Sequence, residues 1–197
     1  MKGTIMMNPP SLVVIGGSAG SLEVLLQVLP GLDQSLATPV VIVLHRKNYA
    51  ASILTDLFSA RTRLPVKEAE EKDVLQPGVV YLAPPDYHLL LESNGTLSLD
   101  YSEKVNFSRP SIDVTFSSAA RLYGPRLLAI LLSGANADGV EGLWNVHETG
   151  GTVAVQDPAS AEVRFMPEQA LEQGGVNKVL QNAEIAPYIN QFAARTW

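Results

Sequence analysis

The sequence predicts a doubly wound α/β fold, with a mostly parallel sheet covered by helices on both faces and one antiparallel hairpin. Three observations carry this. Short β-branched runs alternate with helical patterns along the chain. The runs LVVI, PVVIVL and LLAILL are apolar throughout rather than alternating, which is the pattern of strands buried on both faces. Parallel strands joined by helices cross over with one hand, and that winds them into an open sheet.

The elements follow in order. Leu12–Ile15 reads as the first buried strand, and Leu22, Leu25, Leu26 and Leu29 then recur at helical spacing until Pro30-Gly31. Pro39–Leu44 is a second strand and Ala51–Arg61 a helix. Val66–Ala69 and Val79–Leu82 are two short strands. His88–Leu91 and Thr96–Leu99 flank Ser93-Asn94-Gly95, a hairpin signal expected to add an antiparallel edge. Pro110-Ser111-Ile112-Asp113 opens a helix running to about Leu122. Leu127–Leu132 is the most apolar strand; a glycine-rich loop and a helix near Leu143–Glu148 follow it. Gly150-Gly151 leads to strand Thr152–Gln156. Pro167 opens a helix that Gly174-Gly175 closes, and a last helix spans roughly Ala183–Ala194.

With 197 residues and 46% apolar content, the chain suits one domain with a sizeable core. Residues 1–10 read as an N-terminal extension and 11–197 as the domain. Fourteen basic against 20 acidic residues give a net charge of −6, which argues against a nucleic-acid partner. With no cysteine there are no disulfides or thiolate metal sites. MKGTIMMNPP lacks the apolar core of a secretory signal, and no apolar run approaches a membrane span, so a cytoplasmic protein is expected.

Ligands of such sheets bind beyond the carboxyl ends of the strands, so polar residues just after strands are the candidates. Ser18 sits in Gly16-Gly17-Ser18-Ala19-Gly20, a G-x-S-x-G pattern between a strand and a helix, as a nucleophile elbow requires. Free N–H groups at the start of that helix suit a developing oxyanion. The loop by itself equally fits a helix cap or a phosphate cradle, though no G-x-G-x-x-G register and no Walker lysine is present.

His45 ends the second strand run, VVIVLH. A lone histidine there is commonly structural. Strands consecutive in sequence tend to be neighbours, however, and a base beside a serine hydroxyl makes a nucleophile. His88 and His147 fit less well and are expected to be bystanders. Asp138, in Ser133-Gly134-Ala135-Asn136-Ala137-Asp138-Gly139 beyond LLAILL, is the candidate to hold the imidazole. Asp157 is its rival, although Asp157-Pro158 reads as a helix start; Asp113 is better explained by a helix dipole. The order Ser…His…Asp differs from the Ser…Asp/Glu…His of ordinary α/β-hydrolases.

Over the stretch from about Leu12 to the C-terminus, the chain resembles the CheB family, the protein-glutamate methylesterases of bacterial chemotaxis. The segments that carry the resemblance are VVIGGSAGSLE, VVIVLH, VKEAEEKDVLQPGVVYLAPPDYHLLL, RPSIDVTFSSAA, ILLSGANADGVEGL, GGTVAVQDPASAEVRFMP and ALEQGGVNKVL. The resemblance implies Ser18 as nucleophile, His45 as general base and acid, and Asp138 as orienting carboxylate. Ala19, Gly134, Ala135 and Met166 would surround the oxyanion and substrate. It implies hydrolysis of glutamyl methyl esters on the helical cytoplasmic region of a chemoreceptor or similar signalling protein, and deamidation of glutamines in some members. No metal or organic cofactor is implied; a methyltransferase or kinase partner is.

There are departures from the family pattern. The family usually has threonine where Ala19 stands, glycine at Ser21, and Thr-Gly-Met-Gly-x-Asp-Gly where this chain has Ser133–Gly139. Arg164-Phe165 replaces a usual Phe-Gly pair. The receiver domain common in the family has no room before Leu12, so a stand-alone form or an excised domain is expected. Arg46, Arg109 and Arg164 are candidates to guide an acidic partner, with Arg46 read as an ordinary surface residue and Arg109 as a possible brace of the following helix. Two other readings remain: a serine esterase or amidase with another substrate, and a non-catalytic binding module on the same fold.

Overall fold

The computed structural model describes residues 11–46 and 51–197, the side chains of residues 51 and 52 excepted. The expected N-terminal extension, residues 1–10, lies outside the described residues.

Seven parallel strands form the central sheet: β1 (Leu12–Gly17), β2 (Val40–Leu44), β3 (Val66–Glu68), β4 (Val80–Leu82), β7 (Leu127–Leu131), β8 (Thr152–Gln156) and β9 (Lys178–Leu180), in the order β3-β4-β2-β1-β7-β8-β9. Beginning at β1, the chain builds outward on one side and then returns to build the other, so the order reverses between β1 and β7. A crevice opens at such a reversal, outside the carboxyl ends of the strands. The register runs Gly16 beside Val43 on one flank and Leu131 on the other, so the loops after β2, β1 and β7 emerge together.

Because side chains alternate along a strand, β1 sends Leu12 and Val14 to one face and Val13 and Ile15 to the other. The first face packs against helices α3 (Ile112–Tyr123), α4 (Val140–Glu148) and α5 (Phe165–Gln173). The second packs against α1 (Ser21–Val28), α2 (Ala51–Ser59) and α6 (Asn182–Ala193). All six residues of β1 are buried, as a doubly covered strand must be.

Three departures from the sequence reading have physical causes. The hairpin strands β5 (His88–Leu91) and β6 (Leu97–Asp100) do not extend the main sheet; they pair with each other, and Leu97 exchanges backbone hydrogen bonds with Lys72 and Asp73. Helix α3 captures them, with Thr115 Oγ1 donating to the Leu89 carbonyl and Ser118 Oγ accepting from Leu91 N–H. Strand β9 was not foreseen: it is three residues long with Lys178 and Val179 exposed, and only its pairing with β8 defines it. Helix α5 begins at Phe165, two residues before Pro167, which sits in the first turn, where its missing N–H costs nothing.

Candidate active site

Ser18 follows β1 directly. Its N–H donates to the Ser133 carbonyl at 2.9 Å, and its own carbonyl receives the Ser21 N–H and Ser21 Oγ–H. Gly20, at φ 80°, makes the left-handed turn into α1 that keeps Ser18 at the tip. The Ser18 hydroxyl makes no hydrogen bond among the described residues. It lines a cavity of about 220 Å³ together with His45, Leu22, Leu44, Ile53 and Leu54.

His45 follows β2, its N–H bonded to the Gly17 carbonyl at 3.2 Å, so the backbones beside Ser18 and His45 are tied together. The imidazole Nε2–H donates to Asp138 Oδ2 at 2.6 Å, and the ring is 12% exposed. Nδ1 is therefore the basic position of the neutral ring.

Asp138 has no exposed surface. Its Oδ2 also accepts Ile112 N–H at 2.7 Å; Oδ1 accepts Ser111 Oγ–H at 2.7 Å and Asp113 N–H at 3.1 Å. Ser111 is the N-cap of α3, so the carboxylate sits on that helix's N-terminus and takes its orphan donors. Burial pushes the Asp138 carboxyl up, but the bonds from His45, Ile112 and Ser111 outweigh it and hold the group below the usual carboxylate range. Of the three sequence candidates, His45 and Asp138 are in direct contact, and Ser18 shares the cavity wall with His45.

The CheB methylesterase family model matches residues 13–189. The chain belongs to the CheB methylesterase family. Over 174 residues it is 42% identical to a putative protein-glutamate methylesterase/protein-glutamine glutaminase of Leptospira interrogans, covering 88% of this chain and 90% of that protein. A Paramagnetospirillum magneticum protein-glutamate methylesterase/protein-glutamine glutaminase is 37% identical over 192 residues; the chain spans 50% of its length. The crystal structure of the Thermotoga maritima CheB methylesterase catalytic domain superposes with a TM-score of 0.89 at 35% identity, covering 92% of this chain and 97% of that one.

The CheB-like loops around Ser18 are held by one buried side chain. Ser133 Oγ donates to the Ala19 carbonyl at 2.7 Å and accepts Val163 N–H at 2.9 Å, and Ser133 N–H donates to Gln156 Oε1 at 2.8 Å. The four residues expected around the oxyanion divide into two pairs. Gly134 N–H is spent on the Val163 carbonyl and Met166 N–H on the Gly134 carbonyl. Ala19 and Ala135 N–H have no acceptor among the described residues. A Cβ at Gly134 would lie 2.5 Å from Met166 Cε, displacing the tip of that side chain, and 3.1 Å from Ser18 Cβ.

Several partners were not foreseen from sequence. His88 is buried and structural: its Nδ1 accepts Ser111 N–H at 3.1 Å and its Nε2–H donates to the Glu103 carbonyl. Asp113 does more than face a helix dipole, for it accepts Gly142 N–H at 2.6 Å and Asn106 Nδ2–H at 2.7 Å. Burial, foremost, pushes its carboxyl up to about 7; the Gly142 N–H opposes this and the Asp138 charge adds to it. Asp157, directly after β8, instead donates its N–H to the Leu180 carbonyl at 2.7 Å and accepts Ala159 N–H on Oδ1 at 2.9 Å. His147 is exposed on α4 against Trp144.

Arg46 is not a surface arginine. Its side chain is 8% exposed and its Nη2 donates to Glu68 Oε2 at 2.7 Å and to the Ala83 carbonyl. Arg109 braces the preceding loop rather than the helix start, stacking on Tyr101 and donating to the Tyr101 and Ser102 carbonyls. Arg164 is exposed and pairs loosely with Glu168. No metal-binding cluster of acidic or imidazole side chains occurs among the described residues. No helix there is long and apolar enough to cross a membrane.

Proposed function

We propose that this chain is a serine hydrolase that removes methyl esters from glutamate side chains on the helical cytoplasmic region of a chemoreceptor or a similar signalling protein. The observation that carries the reading is the 2.6 Å His45–Asp138 pair beside the cavity that Ser18 lines. The names of the relatives supply the substrate class.

In this mechanism Ser18 Oγ attacks the ester carbonyl while His45 Nδ1 takes its proton. The paired Asp138 holds the proton on Nε2 and stabilises the imidazolium that forms. The N–H groups of Ala19 and Ala135, uncommitted within the described residues, receive the oxyanion. Gly134 and Met166 shape the wall beside them. His45 returns the proton to the departing methoxide, methanol leaves, and water cleaves the acyl-Ser18 ester by the same proton route. A glutamine substrate follows the same path with ammonia as leaving group. Each turnover leaves a carboxylate on the partner's surface, a charge that biases a two-state signalling element.

The test is methanol release from methyl-esterified receptor by wild type and Ser18→Ala, beside fluorophosphonate labelling of both. Labelling of wild type with loss of both signals in Ser18→Ala supports the mechanism. Hydrolysis that persists in Ser18→Ala refutes it. Labelling without receptor hydrolysis would shift the reading to a serine esterase or amidase of another substrate.

A further inference from the structure

The His45 ring has a second neighbour. Ser108 Oγ lies 3.4 Å from Nδ1, the ring edge opposite the Asp138 contact. Around that hydroxyl, Asn136 Nδ2–H points at Oγ from 3.5 Å and the Asn106 carbonyl accepts the Ser108 O–H at 3.4 Å. The Ser108 hydroxyl proton has two acceptors at 3.4 Å, His45 Nδ1 and the Asn106 carbonyl. When it rotates to Asn106, Oγ and Nδ1 both become acceptors, and a water entering between them donates one proton to each.

The loop is built to put Ser108 there. Val105 and Ser108 exchange backbone hydrogen bonds, and Asn106 and Phe107 between them have φ of 49° and 64°. Positive φ at both central residues marks a type I′ turn. Asparagine tolerates that conformation, but phenylalanine is strained in it. Phe107 is 96% exposed, so its own packing does not repay the strain. Asn106 anchors the turn to Asp113, and Arg109 and His88 pin the preceding strand of loop. Strain kept by surrounding contacts beside reacting groups points to use.

We propose that Ser108 is a catalytic residue of the second half-reaction, holding the hydrolytic water against His45 Nδ1. The inference rests on the serine-hydrolase reading above. Once methanol has left, Ser18 Oγ is esterified and has no proton to share with Nδ1. Water then takes that place, giving one hydrogen to Nδ1 and the other to Ser108 Oγ. The water oxygen bonds to the acyl carbon as its proton passes to Nδ1. The tetrahedral intermediate then collapses with cleavage of the acyl carbon–Ser18 Oγ bond. His45 returns its proton to Ser18 Oγ, and the product is the glutamate carboxyl group. Ser108 gains and loses nothing overall; it orients.

The experiment separates the two half-reactions. A helical peptide carrying one glutamate γ-methyl ester is mixed rapidly with wild type, Ser108→Ala and Ser108→Thr. Methanol release reports acylation, and intact-protein mass reports acyl-Ser18. Ser108→Ala is expected to release the first equivalent of methanol at the wild-type rate and then turn over roughly ten- to a hundredfold more slowly, a fraction of what a positioned base contributes. The acyl-enzyme accumulates in that variant, and Ser108→Thr, which keeps the hydroxyl, restores deacylation. If Ser108→Ala slows both steps equally, or neither, the assignment is overturned while fluorophosphonate labelling of wild type still supports the hydrolase. If wild type takes no label, both readings fall.

Discussion

Replacing Asp138 by asparagine preserves the size of the side chain and removes its charge. All four of its partners are donors: His45 Nε2–H and Ile112 N–H on Oδ2, Ser111 Oγ–H and Asp113 N–H on Oδ1. An amide has one acceptor oxygen, so its NH₂ group must face two of these donors. Turned toward Ser111, it leaves Asp113 N–H unpaired while the hydroxyl rotates to accept. Turned toward His45, it leaves Ile112 N–H unpaired and forces the imidazole proton onto Nδ1, which abolishes the base. Either way one buried donor is orphaned, at a cost of about 1–3 kcal/mol.

The kinetic cost is larger. During proton transfer the imidazolium faces a carboxylate across a 2.6 Å hydrogen bond. At an effective dielectric near 20, unit charges whose centres lie some 3–4 Å apart interact by about 4–6 kcal/mol. Losing that only in the transition state slows turnover by roughly 10³- to 10⁴-fold. The assay is kcat for methanol release by Asp138→Asn, with a urea midpoint to show that the fold survives. A folded variant within about tenfold of wild type would refute the argument, since a carboxylate worth so little could not be stabilising the imidazolium.

Three other expectations follow from the same contacts. Asp113 keeps its proton up to about 7 in the folded protein, whereas the unfolded chain releases it near pH 4, so wild-type stability falls as pH rises through that window; Asp113→Asn flattens the fall in urea midpoints between about pH 4 and pH 7. Asp138, held below the ordinary range, acts oppositely and only below about pH 4, where its contribution is lost, so the two do not overlap. Gly134→Ala pushes Met166 and crowds Ser18; turnover drops on the order of 10²-fold with little change in the melting temperature. Phe107→Gly relieves positive φ at an exposed position and raises stability by about 0.5–1 kcal/mol in urea titration.

Much of this fold could be read from the chain because its central strands are apolar from end to end. LVVI, VVIVL and LLAIL cannot be covered on one face only, and Ser18 and His45 directly follow two of them. Strand β9 carries no such signal, since KVL exposes two of its three residues. The hairpin turn was legible in Ser93-Asn94-Gly95, but its docking was not. That depends on Thr115 and Ser118 meeting β5 across 26 and 27 residues of sequence. The same limit hid Ser111, His88 and Asn106, whose polar contacts converge from distant segments without periodicity. A usable clue did exist for Ser111. A helix N-cap offers unpaired N–H groups, and a buried aspartate elsewhere needs donors. Arg46 was misread because nothing local shows a side chain reaching Glu68, 22 positions away.

The site therefore rests on two fixed supports. The N-terminus of α3 holds the Asp138 carboxylate through three donors. Ser133 holds the Ser18 loop, by joining residue 19 to residue 163 through one hydroxyl while Gln156 anchors its backbone. His45 lies between them, bound to Asp138 on one edge and facing Ser108 on the other. This arrangement explains how a chain of net charge −6 keeps a buried carboxylate ionised: the charge is stabilised by helix donors and imidazole, not by surrounding cations. It also explains why the departures at Ala19 and Ala135 leave the core of the site intact. Neither backbone N–H has an acceptor among the described residues, and a backbone donor is indifferent to the side chain it belongs to.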